Sequence, residues 1–345
     1  MSNNKTSEKK QVTSMDVARL AGVSQTSVSR VFNPHASRKP KEEIREKVLR
    51  AAEELGYKPN AIARSLISKR TDIIAIVMGA KIGSFYSQIL NKFIDKIQKN
   101  GMQILVFNIE PEDNIDNIIE RVLQYQVDGL VITGGALSSD RANECERRGV
   151  PVVIFNRRVS EINVSQVYCD DFTASKEVAD YLLNTGHKKF SCITGQKHLT
   201  ATIHRENGFL KRLKERGINE CILEHGDYSY KSGYEAAKRL LDISNRLDAI
   251  FCVNDIMGMG AIDAARLEFN IDVPEQLSII TIDDTEQAEW PGYSLTTMKR
   301  PLDLMIDDTI EILENKLKNS QMEPVSKVYK MELIKRNSVN LNKGN

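Results

Sequence analysis

The chain of 345 residues contains no apolar run approaching the roughly 18 residues that a membrane span needs. Its start, Met1-Ser2-Asn3-Asn4-Lys5-Thr6, lacks the apolar stretch of a signal peptide, so export is not expected. Cysteine is sparse. Five residues (Cys145, Cys169, Cys192, Cys221 and Cys252) are scattered, odd in number and never spaced as C-x-x-C. That pattern argues against a disulfide framework or a zinc site and fits reduced thiols in a cytoplasm. Missing too are G-x-x-x-x-G-K-[ST], H-E-x-x-H and G-x-S-x-G. The histidines (His35, His187, His198, His204 and His225) are dispersed, and His204 reads as helix surface beside Arg205. Gly258-Met259-Gly260 falls inside a helical stretch and lacks a third glycine, so it is not a dinucleotide fingerprint. These absences disfavour an enzyme, and no catalytic residue, metal or cofactor is expected.

Net charge is also nearly absent, with 48 Lys+Arg against 47 Asp+Glu. The balance hides a segregation. Residues 1–70 hold 15 basic and 7 acidic side chains, a net of +8, while the remainder carries −7. A basic head on an acidic body is expected where one part of a chain meets nucleic acid and the rest does not. Hydrophobic content of 41% and charged content of 28% are ordinary for a globular protein, and the length suits two or three domains.

Residues 1–11 are polar and read as a disordered arm. Thr13-Ser14-Met15-Asp16 has the pattern of a capping box, followed by Val17, Ala18 and Ala21 on one helical face. Gly22 stops that helix, Ser24 caps a second, and Asn33-Pro34-His35 ends it near Asn33. A third helix, Glu42 to Leu55, places Ile44, Val48, Leu49, Ala52 and Leu55 on one stripe. Beyond Ile73 the texture changes to short apolar strands, 73–78, 104–107, 129–133, 152–155, 190–194, 249–253 and 278–282. Helical stretches at 86–99, 114–125, 139–148, 172–185, 204–216, 231–242 and 255–268 separate them. This alternation predicts parallel sheets covered on both faces, and the strand number with a shift near 160–170 predicts two α/β lobes.

Ala18, Gly22, Val28 and Val31 have the spacing of a helix-turn-helix. The second helix then presents Gln25, Thr26, Ser27, Ser29, Arg30 and Asn33 outward. These are amides, hydroxyls and a guanidinium, with no acid to repel phosphates. An ordinary three-helix bundle would put Glu and Lys pairs there.

Val12–Ser24 and Ser27–Asn33 resemble the N-terminal signature of the lactose-repressor (LacI/GalR) family of bacterial transcription factors, and Ala51–Leu66 resembles its second signature. The resemblance runs on to Leu333-Ile334-Lys335-Arg336. In two places the sequence departs from the family. The loop Pro34–Lys41 is two residues longer than usual, and Pro40-Lys41 stand where Val-Ser is customary before the third helix. The resemblance implies that Gln25, Thr26 and Arg30 contact operator bases, and that Ser24, Ser27, Ser29 and Asn33 contact phosphates. Asn60–Ser68 resembles the family's hinge helix, with Asn60, Ala63, Arg64 and Leu66 at the minor groove and Leu66 wedged between bases. Pro59 does isolate a short, Ala-rich helix that is marginal by itself in water. The other reading of Leu66 is a linker residue packed on the lobe.

A two-lobed sugar-binding architecture is also implied, and ligands in such sheets bind beyond the carboxyl ends of the strands. By resemblance, Arg205, Asn254 and Asp283 grip ligand hydroxyls or a carboxylate. Phe85, Tyr86 and Tyr228 wall or stack on the ligand, Asp170 lines the cleft, and Trp290 is a candidate platform. For each carboxylate a helix cap or a surface pair is the alternative, and for Asp255 the cap is the preferred reading. Leu199 is apolar where a purine binder would want a basic residue, which favours a sugar or sugar derivative.

The fold expected is therefore α plus α/β: a helix-turn-helix domain at 12–58, a hinge helix and linker at 59–70, and a two-lobed, periplasmic-binding-protein-like domain at 71–345. Lobe 1 takes about 72–169 and 300–327, and lobe 2 about 170–299 and 328–339. The reading is a cytoplasmic, nucleoid-associated repressor. Its partners are a pseudo-palindromic double-stranded DNA operator, a sugar-like effector and a second copy of itself, with no membrane. The tail after Lys335 lacks the leucine heptads of a tetramerising coil, which favours a dimer. A periplasmic binding protein would share the lobes but would need a leader and would not need residues 13–66.

Overall fold

A computed structural model describes residues 12–33, 36, 38–68, 70–79, 83–109, 114–133, 139–159, 163–243 and 247–341. The arm at 1–11, Pro34 and His35 of the long loop, and the last four residues of the tail lie outside them. The chain divides into two compact units, residues up to 72 with 126–128, and the rest.

The first unit contains α1 (Ser14–Ala21), α2 (Gln25–Phe32), α3 (Glu42–Leu55) and α4 (Ala61–Ser68). Thr13 and Asp16 form the expected reciprocal capping box, and Gly22 closes α1 in the left-handed region at φ +65°. Val17, Ala18, Val28, Val48, Ala51 and Ala52 make a small core, with Phe32 against Tyr57 at 5.7 Å between ring centroids. Leu49 departs from its expected place. It is 36% exposed while Ala51 is buried, because the stripe on α3 runs one position round from the one the sequence suggested. Lys41 caps α3 without a side-chain hydrogen bond, as the loss of the customary Ser implies. The unit extends past the expected linker end to Asp72. There the Asp128 carboxylate accepts from the N–H groups of Thr71 and Asp72 at 3.0 and 2.9 Å.

The second unit opens with β1 (Ile73–Gly79), α5 (Ser84–Lys99), β2 (Gln103–Ile109), α6 (Ile115–Gln124), β3 (Gly129–Ile132), α7 (Ser139–Arg147), β4 (Val152–Phe155) and β5 (Ser165–Cys169). The chain then crosses to α8 (Asp171–Asn184), β6 (Phe190–Thr194), α9 (Thr200–Glu215), β7 (Cys221–His225), α10 (Tyr230–Ile243), β8 (Ala249–Cys252), α11 (Asp255–Phe269), β9 (Ser278–Asp283) and β10 (Thr296–Lys299). It returns for α12 (Leu302–Lys318) and β11 (Ser326–Tyr329), and ends with β12 (Glu332–Ile334). One six-stranded sheet has the order β2-β1-β3-β4-β5-β11 and the other β7-β6-β8-β9-β10-β12. Pairing is parallel except for β10 with β12. The two lobes therefore repeat one strand order, differing in the direction of the last strand, although no sequence repeat is visible.

Central strands are apolar throughout because both faces are covered. Ile74 to Met78 of β1 and all of β8 and β9 are buried, each large side chain contributing about 1.5–3 kcal/mol relative to exposure. The expected elements did not include α12 or the strands β5, β7, β10, β11 and β12. β7 and β11 are half-buried edge strands without a continuous apolar signal. β11 belongs to the first sheet, so the third crossing lies at Lys330-Met331 and not after residue 327. Gly258 and Gly260 lie inside α11, where a Cβ would meet Thr281 at 2.3 Å and the Tyr230 carbonyl at 2.2 Å. They permit close packing and are no phosphate loop. All five cysteines are free thiols. Among the described residues no cluster of His, Cys, Asp or Glu could hold a metal ion, and no helix is long and apolar enough to cross a membrane.

Candidate nucleic-acid interface and ligand cleft

α2 is capped by Ser24, whose hydroxyl accepts from the Ser27 N–H at 3.2 Å. Val28 alone on this helix is fully buried, which turns Gln25, Thr26 and Arg30 to solvent and leaves Ser27, Ser29 and Asn33 at its flank. Ser24 is itself exposed. Gln25 donates to the Ser14 hydroxyl at 3.0 Å, which fixes its amide at the outer end of α2. No acid stands in the first turn of the helix.

The short helix α4 begins at Asn60, whose side-chain oxygen accepts from Ile62 and Ala63 N–H groups at 2.9 and 3.3 Å. Arg64 pairs with Asp72 at 3.3 Å. Leu66 and Ile62 are 76% and 75% exposed. A bare apolar pair on a helix of eight residues is an unusual surface for a chain in water.

In the second unit the strand order reverses between β1 and β3, and again between β6 and β8, the switch points where α/β sheets bind ligands. Phe85 and Tyr86, in the first turn of α5, follow the first of these and meet edge to face at 5.4 Å. Asn156 ends β4 at φ +63°, Tyr228 lies at φ +68° and Asp283 at φ +130°, a concentration of left-handed backbone that core packing alone does not require. Tyr228 lays its ring on Gly195, where a Cβ would stand 2.2 Å from Cε2, and exchanges a hydrogen bond with the Thr202 hydroxyl at 2.7 Å.

Four buried charges meet where the chain crosses between lobes. Arg205 Nε and Arg300 Nη2 both donate to Asp171 Oδ1, at 2.8 and 2.7 Å. Arg300 Nε donates to Asp283 Oδ1 at 3.1 Å, and Arg205 lies 3.8 Å from the same atom. Arg300 also donates to Asn156 at 3.1 Å and stands over the Phe85 ring, so one side chain joins both lobes. Burial opposes ionisation of Asp171, but the two guanidiniums outweigh it and hold the carboxyl below its ordinary range. Asp283, with longer contacts, is left raised by burial despite the same two partners. Each carboxylate accepts through Oδ1, leaving Oδ2 without a hydrogen bond among the described residues. Asp283 and Arg300 also line an open cavity of about 520 Å³ with Gln88, Lys92 and Thr285.

Several expectations change here. The helix expected from 204 starts earlier, at Thr200, so Arg205 lies in the second turn of α9. Asp170 is spent as the N-cap of α8, accepting from the Thr173 N–H and hydroxyl, and its neighbour Asp171 faces the arginines. Asn254 caps α11 by accepting from Met257 N–H at 3.1 Å, and its amide donates to the Tyr228 carbonyl. Asp255 is therefore not the cap. It is wholly buried and accepts from Thr281, Thr285 and Thr297, and burial pushes it up to about 7. Trp290 is 49% exposed beyond a short 3-10 helix, Glu286–Glu289. Sequence reasoning missed Asn156, Asp171 and Arg300. Arg300 was visible only as a basic residue just before Pro301.

Residues 13–60 match the profile of bacterial regulatory proteins of the lacI family, and residues 71–281 match that of periplasmic binding proteins and the sugar-binding domain of the LacI family. The chain belongs to the LacI family. It is a helix-turn-helix, DNA-binding transcription regulator and not an enzyme. It is 33% identical over 293 residues to the HTH-type transcriptional regulator DegA of Bacillus subtilis, covering 83% of this chain and 86% of that one. Among solved structures, a lac repressor dimer bound to operator and the anti-inducer ONPF is 26% identical with a TM-score of 0.82, covering 95% of this chain and 99% of that one. A complex of the regulator CelR with cellobiose is 29% identical with a TM-score of 0.70, covering 95% of this chain and 100% of that one.

Proposed function

We propose that this regulator is a cytoplasmic, nucleoid-associated homodimeric repressor whose operator affinity is switched by a sugar or sugar derivative held between the lobes. The observation that carries the reading is the pairing of an acid-free, outward polar helix with a cluster of buried charges bridging two lobes. Two copies of α2 read half-sites of a pseudo-palindrome, Gln25, Thr26 and Arg30 at base edges, and Ser24, Ser27, Ser29 and Asn33 at phosphates. Leu66 wedges into the central minor groove, with Asn60, Ala63 and Arg64 beside it. In the cleft, Phe85, Tyr86 and Tyr228 wall the ligand, Arg205 and Asp283 bind its polar groups with Asp171 and Arg300 behind them, and Trp290 caps the opening. Asp170 and Asn254 contribute by shaping helix ends, since their side chains are already engaged.

The switch works because a ligand that bridges the lobes binds one lobe geometry better than another, and the favoured geometry sets how the hinge helices meet. The relatives support this reading. The CelR structure holds cellobiose, and the lac repressor structure is a dimer on its operator. The test is site selection from random duplex DNA with the full chain, followed by a salt titration. Inverted half-sites about a flexible central step are expected, with affinity falling steeply as salt rises. Unrelated single sites, or affinity insensitive to salt, would overturn the reading.

A further inference from the structure

Arg64 on α4 is paired differently from the other ion-paired cations of the head. Arg19, Arg45 and Lys47 each meet an acid three or four positions away on their own helix, and those partners, Asp16, Glu42 and Glu43, are 40%, 69% and 77% exposed. Pairs of that kind are screened and yield readily to another anion. Arg64 Nη2 instead donates at 3.3 Å to Asp72 Oδ2, eight residues on and beyond the end of α4. That acid is only 9% exposed.

Asp72 is fixed from its other side. It lies in the left-handed region at φ +57°, and its N–H donates to Asp128 Oδ2 at 2.9 Å. Thr71 before it donates its N–H to Asp128 Oδ1 at 3.0 Å and its hydroxyl to the Gln126 carbonyl at 2.8 Å. Residues 126–128 belong to the same compact unit as α4, so the acid that meets Arg64 is anchored within that unit. On the helix, Arg64 stands two positions from Ile62 and from Leu66 and so on the opposite side. One side of α4 is bare, and the other is tied down through its arginine.

A carboxylate offers a guanidinium the same kind of oxygen pair that a phosphate does. An acid anchored beside a cation placed at the minor groove therefore competes with DNA for that cation, and it stands as a like charge where the duplex brings its own. We propose that Asp72 is a built-in brake on operator binding: it holds Arg64 in the free chain, and α4 docks in the minor groove by exchanging Asp72 for DNA. This rests on the reading of α4 as the hinge helix and adds to it a residue that limits affinity without facing a base. The cost of the exchange is that of leaving a buried carboxylate without this guanidinium.

The test is a double-mutant cycle with the full chain and the operator obtained by site selection, read by fluorescence anisotropy of labelled duplex. Asparagine tolerates the left-handed backbone and keeps the N–H that Asp128 accepts, so Asp72→Asn removes the charge alone. Asp72→Gly repeats the measurement with the residue freest at that φ. Each should tighten operator binding by about threefold to tenfold, the value of an ion pair of this partial burial. Arg64→Gln should then cost more in the Asp72→Asn background than in the wild type, by that same factor. Binding that is unchanged or weakened by both Asp72 variants, or a loss on Arg64→Gln that is equal in the two backgrounds, would overturn the brake and leave the hinge reading standing. Arg64→Gln without effect in either background would take Arg64 off the DNA and overturn the brake together with that part of the hinge reading.

Discussion

The side chains assigned to DNA stand in water on α2, whereas the charges assigned to the ligand are withdrawn from it. Gln25, Thr26 and Arg30 are exposed on a helix held by one buried valine, while Arg300 is wholly buried and Arg205, Asp171 and Asp283 nearly so. The reason lies in what each partner brings. DNA supplies a dense anionic surface that displaces counterions, so its reader need only be presented, and presentation costs the fold little. A small ligand has few groups to offer, so its site must be preorganised, with charges fixed by one another before the ligand arrives. The head can therefore be altered for specificity at little cost in stability. The cleft cannot.

The sharpest way to break this comparison is to remove one arginine from each region. Arg300→Met takes a donor from Asp171, Asp283 and Asn156 at once and leaves buried carboxylates under-paired. A loss of about 3–5 kcal/mol is expected, the range for breaking a buried ion pair from one side. Trp290, the one tryptophan of the chain, reports it by fluorescence in urea unfolding. Arg30→Met should change stability by no more than about 0.5 kcal/mol while weakening the selected operator. Equal stability losses in the two variants would erase the distinction.

Asp255 gives a second, pH-dependent contrast. Its folded value of about 7 lies above the ordinary 3.8, because burial outweighs the hydrogen bonds from Thr281, Thr285 and Thr297. The folded state therefore holds this proton more tightly than the unfolded chain does. The associated stability is present in full at low pH and is lost as pH rises from about 4 to about 7, up to about 4 kcal/mol across that window. Asp255→Asn should flatten that part of the melting profile, measured with the Thr281 and Thr297 hydroxyls free to turn. A profile unchanged by the substitution would show that Asp255 is ionised in the fold.

How much of each region can be read from sequence follows the same division. The surface assigned to DNA is a local pattern within twenty residues. Thr13, Ser24 and the acid-free face of α2 were all legible because each acts on neighbours three or four positions away. The lobes were legible as alternation, since fully covered strands read as apolar runs, but edge strands such as β7 and β11 gave no such run. The cleft was legible only in part. Arg300 reaches Asn156 and Asp171 from more than a hundred residues away, and nothing near Arg300 distinguishes it from surface lysines and arginines. Adjacent pairs misled most. In Asp170-Asp171 and Asn254-Asp255 one member caps a helix and the other is buried, and only the strand-to-helix turn decides which.

Within the head itself, Leu66 tests whether exposure has a use. At 76% exposed it contributes little to the fold, so Leu66→Ala should leave the unfolding curve in place. On the selected operator it should cost about tenfold to a hundredfold in affinity, the value of burying one leucine side chain, and should reduce the DNA bend seen by gel phasing. An unchanged bend would remove the wedge from the reading.

The smallest effect is expected at the capping box, where stability and reading are joined. Thr13 accepts from the Asp16 N–H, and Asp16 accepts in return from the Thr13 N–H at 3.0 Å. Thr13→Ala should cost about 1 kcal/mol, the usual value of an N-cap. The loss falls on α1, which carries Ser14, the acceptor that holds the Gln25 amide. A frayed first turn would free that amide, so operator affinity should drop by a few-fold and discrimination at the base facing Gln25 should weaken more than affinity elsewhere. Thr13→Ser retains the cap and should restore both. Base discrimination that stays intact while stability falls would show that Gln25 is oriented by the DNA and not by α1.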